Sequence, residues 1–338
     1  MRAFVVTGPG QGELQDVPAP EATAGLVVVD VERAGVCGTD AELFSGQMAY
    51  LDSGEARYPL RLGHEWCGRV SAVGAGVDPG WLGRRVTGDT MLGCGRCRRC
   101  TSGHQHLCAD RYEIGVRHGW PGALAAQLPV PASALVALPD RVDAVLGALV
   151  EPGGNALRSV RAAEVGPGSR VLVLGPGTIG LLVAQVARAH GAEVHLLGKD
   201  DGFRDFTAGL GFDRLWTSAG LDRSLAFDAV VDASNDTRLP ALAVELVEPG
   251  GRVVLVGLSG QPSPLDSRTV VLKDVTAVGV LSASGGLAGA ADLYASGQVD
   301  PRPLVAATVG LDGVAAVLSG ARPSGAGPGP KVHVDPRL

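Results

Sequence analysis

Residues 170–180, RVLVLGPGTIG, decide the fold of the chain. Arg170 to Leu174 is a short apolar run typical of a buried strand, and the helix-like stretch Thr178 to His190 follows it. Between them, Gly175 to Gly180 matches G-x-G-x-x-G, whose glycines allow a tight turn and place a pyrophosphate at the helix N-terminus. Because strand and helix stand where this motif needs them, a dinucleotide site is favoured over a plain glycine-rich turn. The residues predicted to contact the dinucleotide are Gly175, Gly177, Thr178, Ile179 and Gly180.

The alternation of strands and helices continues after this unit. Glu193 to Leu197 and Phe227 to Asp232 have the pattern of buried strands, and Leu239 to Val247 has that of a helix. A further strand is predicted over Gly251 to Gly257, after a break at Pro249-Gly250. Strands that alternate with helices pair in parallel, so we predict a doubly wound α/β domain.

The residues after the second strand indicate which dinucleotide is bound. An acid there accepts hydrogen bonds from the ribose 2'-hydroxyl of NAD, whereas a cation suits the 2'-phosphate of NADP. This chain has Lys199 at that point and Arg204 close to it, so we expect NADP(H) ahead of NAD(H). Asp200 and Asp201 leave NAD(H) open, because a shift of one residue would present a carboxylate. Ser234 is a further candidate for cofactor contact.

The part of the chain before these units is rich in strand-like runs. Arg2 to Thr7 and Leu26 to Arg33 are two of them, and glycine and proline clusters separate others up to Leu138. A chain of 338 residues with 46% hydrophobic residues can bury the cores of about two domains. Near the C-terminus, Lys331 to Val334 is a short strand that we expect to rejoin the first domain.

Composition limits the possible partners. A formal net charge of -6 gives no broad basic face, which argues against nucleic-acid binding. No apolar run reaches the roughly 18 to 20 residues needed to span a bilayer, and the first residues do not resemble a signal peptide. We therefore expect a cytoplasmic protein that acts on a small neutral or polar molecule and binds neither nucleic acid nor membrane.

Four cysteines follow a spacing typical of a metal site. The pattern is C-x2-C-x2-C-x7-C in a glycine- and arginine-rich loop, where four thiolates can surround one tetrahedral zinc. Two disulfides or free thiols are the alternative, but disulfides are rare in a reducing compartment. Four thiolates leave no open coordination position, so this zinc would be structural. The predicted ligands are Cys94, Cys97, Cys100 and Cys108.

A second group of metal-binding residue types is spread over separate loops. Cys37, His64 and Glu65 offer a thiolate, an imidazole and a carboxylate, and Glu151 stands just before the dinucleotide-binding domain. Such a mixed set suits a catalytic zinc, although one cysteine and one histidine alone would more often be a buried thiol and a satisfied side chain. Cys67 is expected to be a packed apolar thiol.

Together these motifs resemble the zinc-containing medium-chain dehydrogenases, a family that includes alcohol, sorbitol, threonine and glucose dehydrogenases. The resemblance covers the whole chain and rests on Val36-Cys37-Gly38-Thr39-Asp40, Leu62-Gly63-His64-Glu65, the Cys94 to Cys108 lobe, Val150-Glu151-Pro152, the glycine motif, Pro249-Gly250-Gly251-Arg252 and Lys331-Val332-His333-Val334. It implies a GroES-like, β-rich catalytic domain over 1–148, a Rossmann domain over 149–285, and a segment over 286–338 that returns to the catalytic domain. It also implies a homodimer or homotetramer, formed by edge pairing of the Rossmann sheets.

The resemblance assigns roles around the catalytic metal. Cys37 and His64 would bind zinc, with Glu65 or Glu151 as the further protein ligand and an open position for water or substrate. Glu151 stands where the alcohol dehydrogenase branch has a cysteine, which is similar to the sorbitol and threonine dehydrogenase branch. The chain would then hold two zinc ions.

The same resemblance implies a route for the substrate proton. Zinc would lower the pKa of the bound alcohol, and hydride would pass to the nicotinamide. Thr39 would carry the proton, and Asp40 would orient the ring of His64. Glu42 stands where the alcohol dehydrogenase branch has a histidine. It would either continue the proton relay or be an ordinary solvated acid.

The sequence limits the substrate only to a class. Gln47 to Tyr58 and the segment after the cysteine lobe offer polar and aromatic partners, which favour a sugar, polyol or cyclitol over a long apolar alcohol. The predicted function is hydride transfer between NAD(P) and a secondary alcohol or ketone of such a molecule, amino-cyclitols included. An NADPH-dependent aldehyde or ketone reductase and a non-catalytic cofactor-binding protein are the alternatives. The candidate hydroxyl partners after the lobe are Tyr112, Glu113, His118 and Trp120.

Overall fold

The N-terminal part of the chain consists mainly of antiparallel strands in the computed structural model, which describes residues 1–338. Its strands are β1 (Arg2–Gly8), β2 (Gln11–Asp16), β3 (Leu26–Gly35), β4 (Glu65–Val73), β5 (Arg85–Gly88), β6 (Met91–Leu92), β7 (Tyr112–Glu113), β8 (Gln127–Pro131) and β9 (Leu135–Ala137). Its helices are α1 (Gly38–Ser45), α2 (Ala49–Asp52), α3 (Arg98–Thr101) and α4 (Ala144–Ala148). Three single 3-10 turns, Pro79–Trp81, Gln105–Leu107 and Ala132–Ala134, complete this part.

The remainder alternates strands and helices. Its strands are β10 (Arg170–Leu174), β11 (Glu193–Leu197), β12 (Leu215–Trp216), β13 (Phe227–Asp232), β14 (Val247–Leu255), β15 (Thr276–Gly279), β16 (Val305–Val309) and β17 (Lys331–Val334). Its helices are α5 (Val150–Ala163), α6 (Thr178–Ala189), α7 (Arg204–Gly209), α8 (Leu239–Leu246), α9 (Ser267–Leu272), α10 (Leu287–Ala295) and α11 (Val314–Leu318), with 3-10 turns at Arg302–Leu304 and Leu311–Gly313.

Six of these strands form one parallel sheet in the order β12-β11-β10-β13-β14-β15. Numbered within the sheet this is 3-2-1-4-5-6, the order of the dinucleotide-binding Rossmann fold. Alternate residues of β10 face opposite sides: Val171 and Val173 join the core beneath α5 and α6, whereas Leu172 and Leu174 join the core beneath α8. Both faces are therefore covered, which confirms the predicted doubly wound domain.

Most of the elements predicted around the glycine motif are present. Strands β10, β11 and β13 have the predicted bounds, and α6 and α8 each end one residue earlier than predicted. The break predicted at Pro249-Gly250 is wrong, because β14 already begins at Val247. The turn residues form an irregularity within the strand, where Gly250 has a φ of 79° and the register against β13 shifts. A bulge lets a strand absorb such residues without ending.

The C-terminal strand returns to the first sheet. A seven-stranded sheet contains β16-β17-β3-β4-β5-β9 in that order, with β8 also paired to β3. Strand β17 runs antiparallel to β3, with His333 opposite Gly35, and parallel to β16. This pairing carries Lys331 across the chain to the start of β4, where Glu65 lies. No helix of the structure combines the length and apolar character needed to cross a membrane.

Candidate metal centre and cofactor cleft

A cleft of about 770 Å³ receives residues from both halves of the chain. On one side it is lined by Cys37, His64 and Glu65 of the β-rich part. Ile179, in the first turn of α6, and Glu151, in the first turn of α5, line it from the other half. The predicted metal ligands and the glycine motif therefore meet at one cavity, as a reaction between a metal-held substrate and a dinucleotide requires.

Three of the predicted ligands form a compact group. One ligand atom from each of Cys37, His64 and Glu65 lies within 4.8 Å of the others. Cys37 is the N-cap of α1, and Glu65 is the first residue of β4, so secondary-structure ends fix both. A thiolate, an imidazole and a carboxylate facing a cleft fit a zinc ion that keeps one open position.

Asp40 connects the two loops that carry this group. Its side chain is fully buried, and its oxygens accept hydrogen bonds from the Cys37 amide at 2.9 Å and the Gly63 amide at 3.2 Å. The Nδ1 atom of His64 lies 3.3 Å from Asp40 Oδ1, an ion-pair distance without hydrogen-bond alignment. Burial alone would raise the pKa of Asp40, but the charge of His64 and the two amides hold it below its ordinary value. Asp40 thus lies where it can orient the ring of His64.

The two candidate glutamates differ in their partners. Both oxygens of Glu65 accept from Lys331 Nζ, at 2.7 and 2.8 Å, and Lys331 also donates to the Val36 carbonyl at 2.9 Å. Glu151 accepts instead from the Asn155 amide at 2.9 Å. Burial raises the pKa of Glu151 to about 7. The structure groups Glu65 with Cys37 and His64, and it leaves Glu151 on the wall of the same cleft.

The proposed relay residues lie on α1. Thr39 is in the first turn and lines the cleft. Glu42 lies one turn further along, does not line the cleft, and makes no side-chain hydrogen bond or ion pair. Burial raises the pKa of Glu42 above its ordinary value. Thr39 is therefore in place for proton transfer, while the role of Glu42 stays a prediction.

The four cysteines of the loop after β6 converge on one point. All four sulfurs lie within 4.8 Å of one another, and three pairs are 3.5, 3.8 and 4.0 Å apart. A tetrahedron with Zn–S bonds of about 2.3 Å has edges of about 3.8 Å, so the group fits a zinc ion. The disulfide alternative does not fit, because every cysteine is free. Backbone donors lower the pKa of the Cys94 thiol to about 6, whereas burial raises that of the Cys100 thiol to about 12, so the fit to zinc rests on the sulfur geometry.

The glycine motif has the geometry of a phosphate-binding turn. Gly175 has a φ of 89°, a conformation that residues with a side chain rarely adopt. A Cβ on Gly180 would lie 1.9 Å from the Gly175 carbonyl oxygen, so α6 can approach the turn only with glycine there. Thr178 begins α6, and Gly177 faces open space. Ser234 lies directly beside Gly175, where its hydroxyl donates to Asp232 at 2.7 Å.

The residues that would select the cofactor lie after β11. Lys199 has 92% of its side chain exposed and lies 3.9 Å from Asp200. Arg204 begins α7 and is paired with Asp201. Lys199 is thus available to a 2'-phosphate, whereas the nearest partner of Arg204 is a carboxylate of its own turn.

The sequence missed several residues that support or line the cleft, and it placed others there that lie outside it. Lys331 and Asn155 were given no role, although the first holds Glu65 and the second holds Glu151. Of the candidate hydroxyl partners, Glu113 lines the cleft, together with Tyr50 from the Gln47 to Tyr58 connection. The others do not line it, and the Tyr112 ring contacts those of the other two: Tyr112, His118 and Trp120. Lys331 is detectable in retrospect as a charged residue within a strand that must be buried to rejoin the sheet.

Comparison with known proteins identifies the family. The alcohol dehydrogenase GroES-like domain matches residues 23–140, and the zinc-binding dehydrogenase domain matches residues 178–296. The L-threonine 3-dehydrogenase of Saccharopolyspora erythraea is 34% identical over 294 residues, which cover 83% of this chain and 83% of that protein. The chain belongs to the zinc-dependent alcohol dehydrogenases of the medium-chain type, and this confirms the predicted family, fold class and enzyme class. The non-catalytic alternative gains no support.

Solved structures of the same fold hold both nicotinamide cofactors. One, from Escherichia coli CFT073, is described as an alcohol dehydrogenase complexed with NADH; it has a TM-score of 0.89 and 25% identity, with 99% of each chain covered. Another, a protein of Sinorhizobium meliloti 1021 described as a zinc-binding dehydrogenase, is bound to NADP; it has a TM-score of 0.89 and 29% identity, again with 99% of each chain covered. A nicotinamide cofactor and zinc are thus the cofactors of the family.

Proposed function

We propose that this chain transfers a hydride between NAD(P) and a secondary alcohol or ketone of a sugar, polyol or cyclitol, amino-cyclitols included. The observation that carries the proposal is the meeting of Cys37, His64 and Glu65 with Ile179 of the glycine motif at one cleft. The similar L-threonine 3-dehydrogenase is named for a substrate that carries several polar groups, which supports a polar substrate here.

We assign the metal-binding residues as follows. Cys37, His64 and Glu65 hold the catalytic zinc, and Glu151 faces it across the cleft as the alternative carboxylate ligand. When bound there, zinc supplies the Lewis acidity that lowers the pKa of a substrate hydroxyl. The second zinc of the chain is structural and is held by Cys94, Cys97, Cys100 and Cys108.

The other side chains position the reacting groups. Asp40 holds the Cys37 and Gly63 amides and the His64 ring, so the donor set is ordered before substrate arrives. The Thr39 hydroxyl lines the cleft and accepts the substrate proton for transfer to solvent. Glu42 is assigned only the outer end of that path. Ile179 and the neighbouring glycine turn bring the nicotinamide end of the cofactor into the same cavity.

NADP(H) is the proposed cofactor. The support is Lys199, a highly exposed cation two residues after the end of β11, where a 2'-phosphate would lie. An NADPH-dependent reductase that works mainly toward the alcohol is the second candidate, and the same lysine favours it. Cofactor contacts are assigned to Gly175, Gly177, Thr178, Ile179, Gly180, Lys199, Arg204 and Ser234.

We also propose the organisation of the molecule. The catalytic domain covers 1–148, the Rossmann domain 149–285 and the returning segment 286–338. The active form is a cytoplasmic homodimer or homotetramer, and its partner is a small polyhydroxylated molecule.

The first experiment measures zinc per chain and, in the same preparation, the reduction of NAD+ and NADP+ by polyols, sugars and cyclitols. Two zinc ions and turnover on a hydroxylated substrate support the proposal. One zinc ion without turnover contradicts the catalytic site.

A matched pair of cysteine variants separates the two metal sites. Cys37→Ser should abolish turnover while the melting temperature and NADP binding stay unchanged. Cys100→Ser should lower the melting temperature, because a structural zinc contributes folding free energy. Unfolding of the first variant or unchanged stability of the second would contradict the assignment.

A further inference from the structure

The wall of the cleft has an unusual distribution of charge. Its 27 lining residues include three carboxylates, Glu65, Glu113 and Glu151, and no lysine or arginine. Glu65 and Glu151 belong to the proposed metal centre. Glu113 comes from β7, on a different element, and has no part in the metal site or the relay. Its presence therefore concerns the part of the substrate that does not react.

The Glu113 carboxylate is held in place through one oxygen, while its other oxygen receives no hydrogen bond from the protein. The residue is buried, with 5% exposure. Its Oε1 atom accepts from Arg111 Nε at 2.8 Å and from the Tyr50 hydroxyl at 3.2 Å, and Arg111 also donates to that hydroxyl at 3.3 Å. No protein group donates to Oε2. Oε2 is not among the buried side-chain atoms that lack a partner, so it is open to the cleft, where a ligand hydroxyl or amino group can donate to it in place of water.

The nearby cations, Arg111 and Arg117, do not line the cleft, although the Nε and Nη1 atoms of Arg117 are buried without hydrogen-bond partners. Arg111 is held by Glu113, Tyr50 and the Cys108 carbonyl. Arg117 is paired with Glu55, and its guanidinium lies over the Tyr50 ring at 5.4 Å. The two arginines balance the charges of Glu55 and Glu113, but they present no donor to the cleft. The surface offered to a ligand is thus a carboxylate beside a tyrosine hydroxyl.

We infer that Tyr50 and Glu113 form a substrate subsite that binds a hydroxyl or amino group distant from the reacting carbon and rejects phosphate and carboxylate groups. This inference rests on the proposed function and narrows its substrate class to neutral or positively charged polyols. A hydrogen-bond donor on the ligand satisfies Glu113 Oε2. An anionic group there meets a fixed carboxylate, and no lysine or arginine lines the cleft to balance it.

A preference for anionic substrates would require cationic side chains or backbone amides on the wall of the cleft. Recognition of phosphate or carboxylate groups in proteins relies on arginine, lysine or clusters of backbone amides that face the ligand. Here the two arginines that could serve are paired with Glu113 and Glu55, and neither lines the cleft. Specificity arises as much from this repulsion as from the hydrogen bond to the correct substrate.

The test compares Glu113→Gln and Tyr50→Phe with the wild type on four substrates. These are the neutral polyol with the highest turnover, its amino-deoxy analogue, its phosphate monoester and 2-butanol, all with one cofactor. Glu113→Gln should lower kcat/KM for the neutral polyol roughly tenfold to a hundredfold, the effect of losing one hydrogen bond to a charged group. It should lower kcat/KM for the amino analogue by a larger factor and leave kcat/KM for 2-butanol unchanged. Tyr50→Phe should lower kcat/KM for the neutral polyol by a smaller factor than Glu113→Gln does.

The phosphate monoester tests the predicted rejection of anionic groups. The wild type should use it at no more than about one hundredth of the efficiency of the parent polyol, since facing like charges cost several kcal/mol. In Glu113→Gln, kcat/KM for the phosphate monoester should rise relative to that for the parent polyol. Glu21→Gln, an exposed glutamate of the same domain, is the matched control and should change no ratio.

Three results would overturn the inference: equal use of the phosphate and the neutral polyol by the wild type, equal losses on the polyol and on 2-butanol in Glu113→Gln, or turnover of 2-butanol with none of the polyol. Turnover of no alcohol at all contradicts the proposed function instead. In that case calorimetric binding of the polyol and its phosphate to the NADP complex decides the inference, and tighter binding of the phosphate would overturn it.

Discussion

At the scale of single residues, the Lys331–Glu65 pair couples the end of the chain to the proposed metal centre. Both side chains are almost wholly buried, and the ammonium group contacts both carboxylate oxygens. A buried carboxylate that loses its partner costs about 3–5 kcal/mol. Because a zinc ion bound to Glu65 would still neutralise part of its charge, we expect Lys331→Met to lower the free energy of unfolding of the zinc-loaded protein by at most this amount, measured by urea titration.

The matched control for this substitution is Lys199→Met, because the Lys199 side chain is 92% exposed. It should leave the free energy of unfolding unchanged and, if Lys199 contacts the 2'-phosphate, weaken NADP binding relative to NAD. Equal stability losses for the two lysines would show that burial of the pair contributes nothing.

His333 makes the fold sensitive to acid. It is fully buried with both ring nitrogens unpartnered, and burial, followed by the charges of Lys331 and Arg33, lowers the pKa of its ring from 6.5 to about 3. Between these two values the unfolded chain binds a proton that the folded protein does not. Stability conferred by the neutral ring is complete above pH 6.5 and falls by up to about 1.4 kcal/mol for each pH unit below it.

We expect His333→Leu to flatten this dependence. Urea titrations at pH 7, 6, 5 and 4 should show a smaller fall in the free energy of unfolding for the variant than for the wild type. An unchanged slope between pH 6.5 and 4 would mean that His333 is protonated in the folded protein.

The sequence predicted which residues could bind metal better than it predicted how they are supported. Cysteine spacing identified the four-thiolate site because its ligands are neighbours in the chain. The choice between Glu65 and Glu151 depends on Lys331 and Asn155, whose contacts exist only after the sheet closes and α5 forms. Support of this kind joins distant residues and leaves no local pattern.

At the scale of elements, two glycines of the turn between β10 and α6 differ in the space available for a side chain. At Gly180 an added Cβ would lie 1.9 Å from the Gly175 carbonyl oxygen, whereas at Gly177 no atom lies within 4 Å of it. Gly180→Ala should therefore displace α6 and weaken both the fold and NADP binding.

Gly177→Ala is the matched control, since its φ of -83° suits any residue. It should keep the melting temperature and lower only cofactor affinity, because the pyrophosphate approaches the backbone there. Calorimetric titration with NADP and thermal unfolding measure the two effects. A loss of stability equal to that of Gly180→Ala would contradict the close packing inferred at Gly180.

The sequence predicted the elements with regular periodicity and missed those shaped by their surroundings. Strands β10, β11 and β13 were predicted with their full bounds, because a short, mainly apolar run between helices is a local signal for a buried strand. The bulge in β14 was predicted as a break, since Pro249 and Gly250 are turn residues. Pairing on both sides of β14, with β13 and β15, overrides that local preference.

At the scale of the whole molecule, the parallel sheet ends at β15 with one edge unpaired. Three of its four residues, Thr276, Ala277 and Gly279, are exposed, and α9, directly before it, presents Val271 and Leu272 at 76% and 72% exposure. An open edge beside apolar side chains is a surface on which another strand can pair. Pairing two such edges across a twofold axis would bury both and join two sheets into one.

The prediction from this edge is that Ala277→Lys converts the proposed oligomer into smaller species. Two copies paired through β15 would each place a lysine in the shared edge, and charged edge residues oppose strand pairing. Ala208→Lys, on the exposed surface of α7, is the matched control and should leave assembly unchanged. Sedimentation velocity distinguishes the species. A wild type that sediments as a monomer, or an Ala277→Lys variant that sediments with the wild type, would show that β15 does not join two copies, and the exposed residues of α9 would then need another explanation.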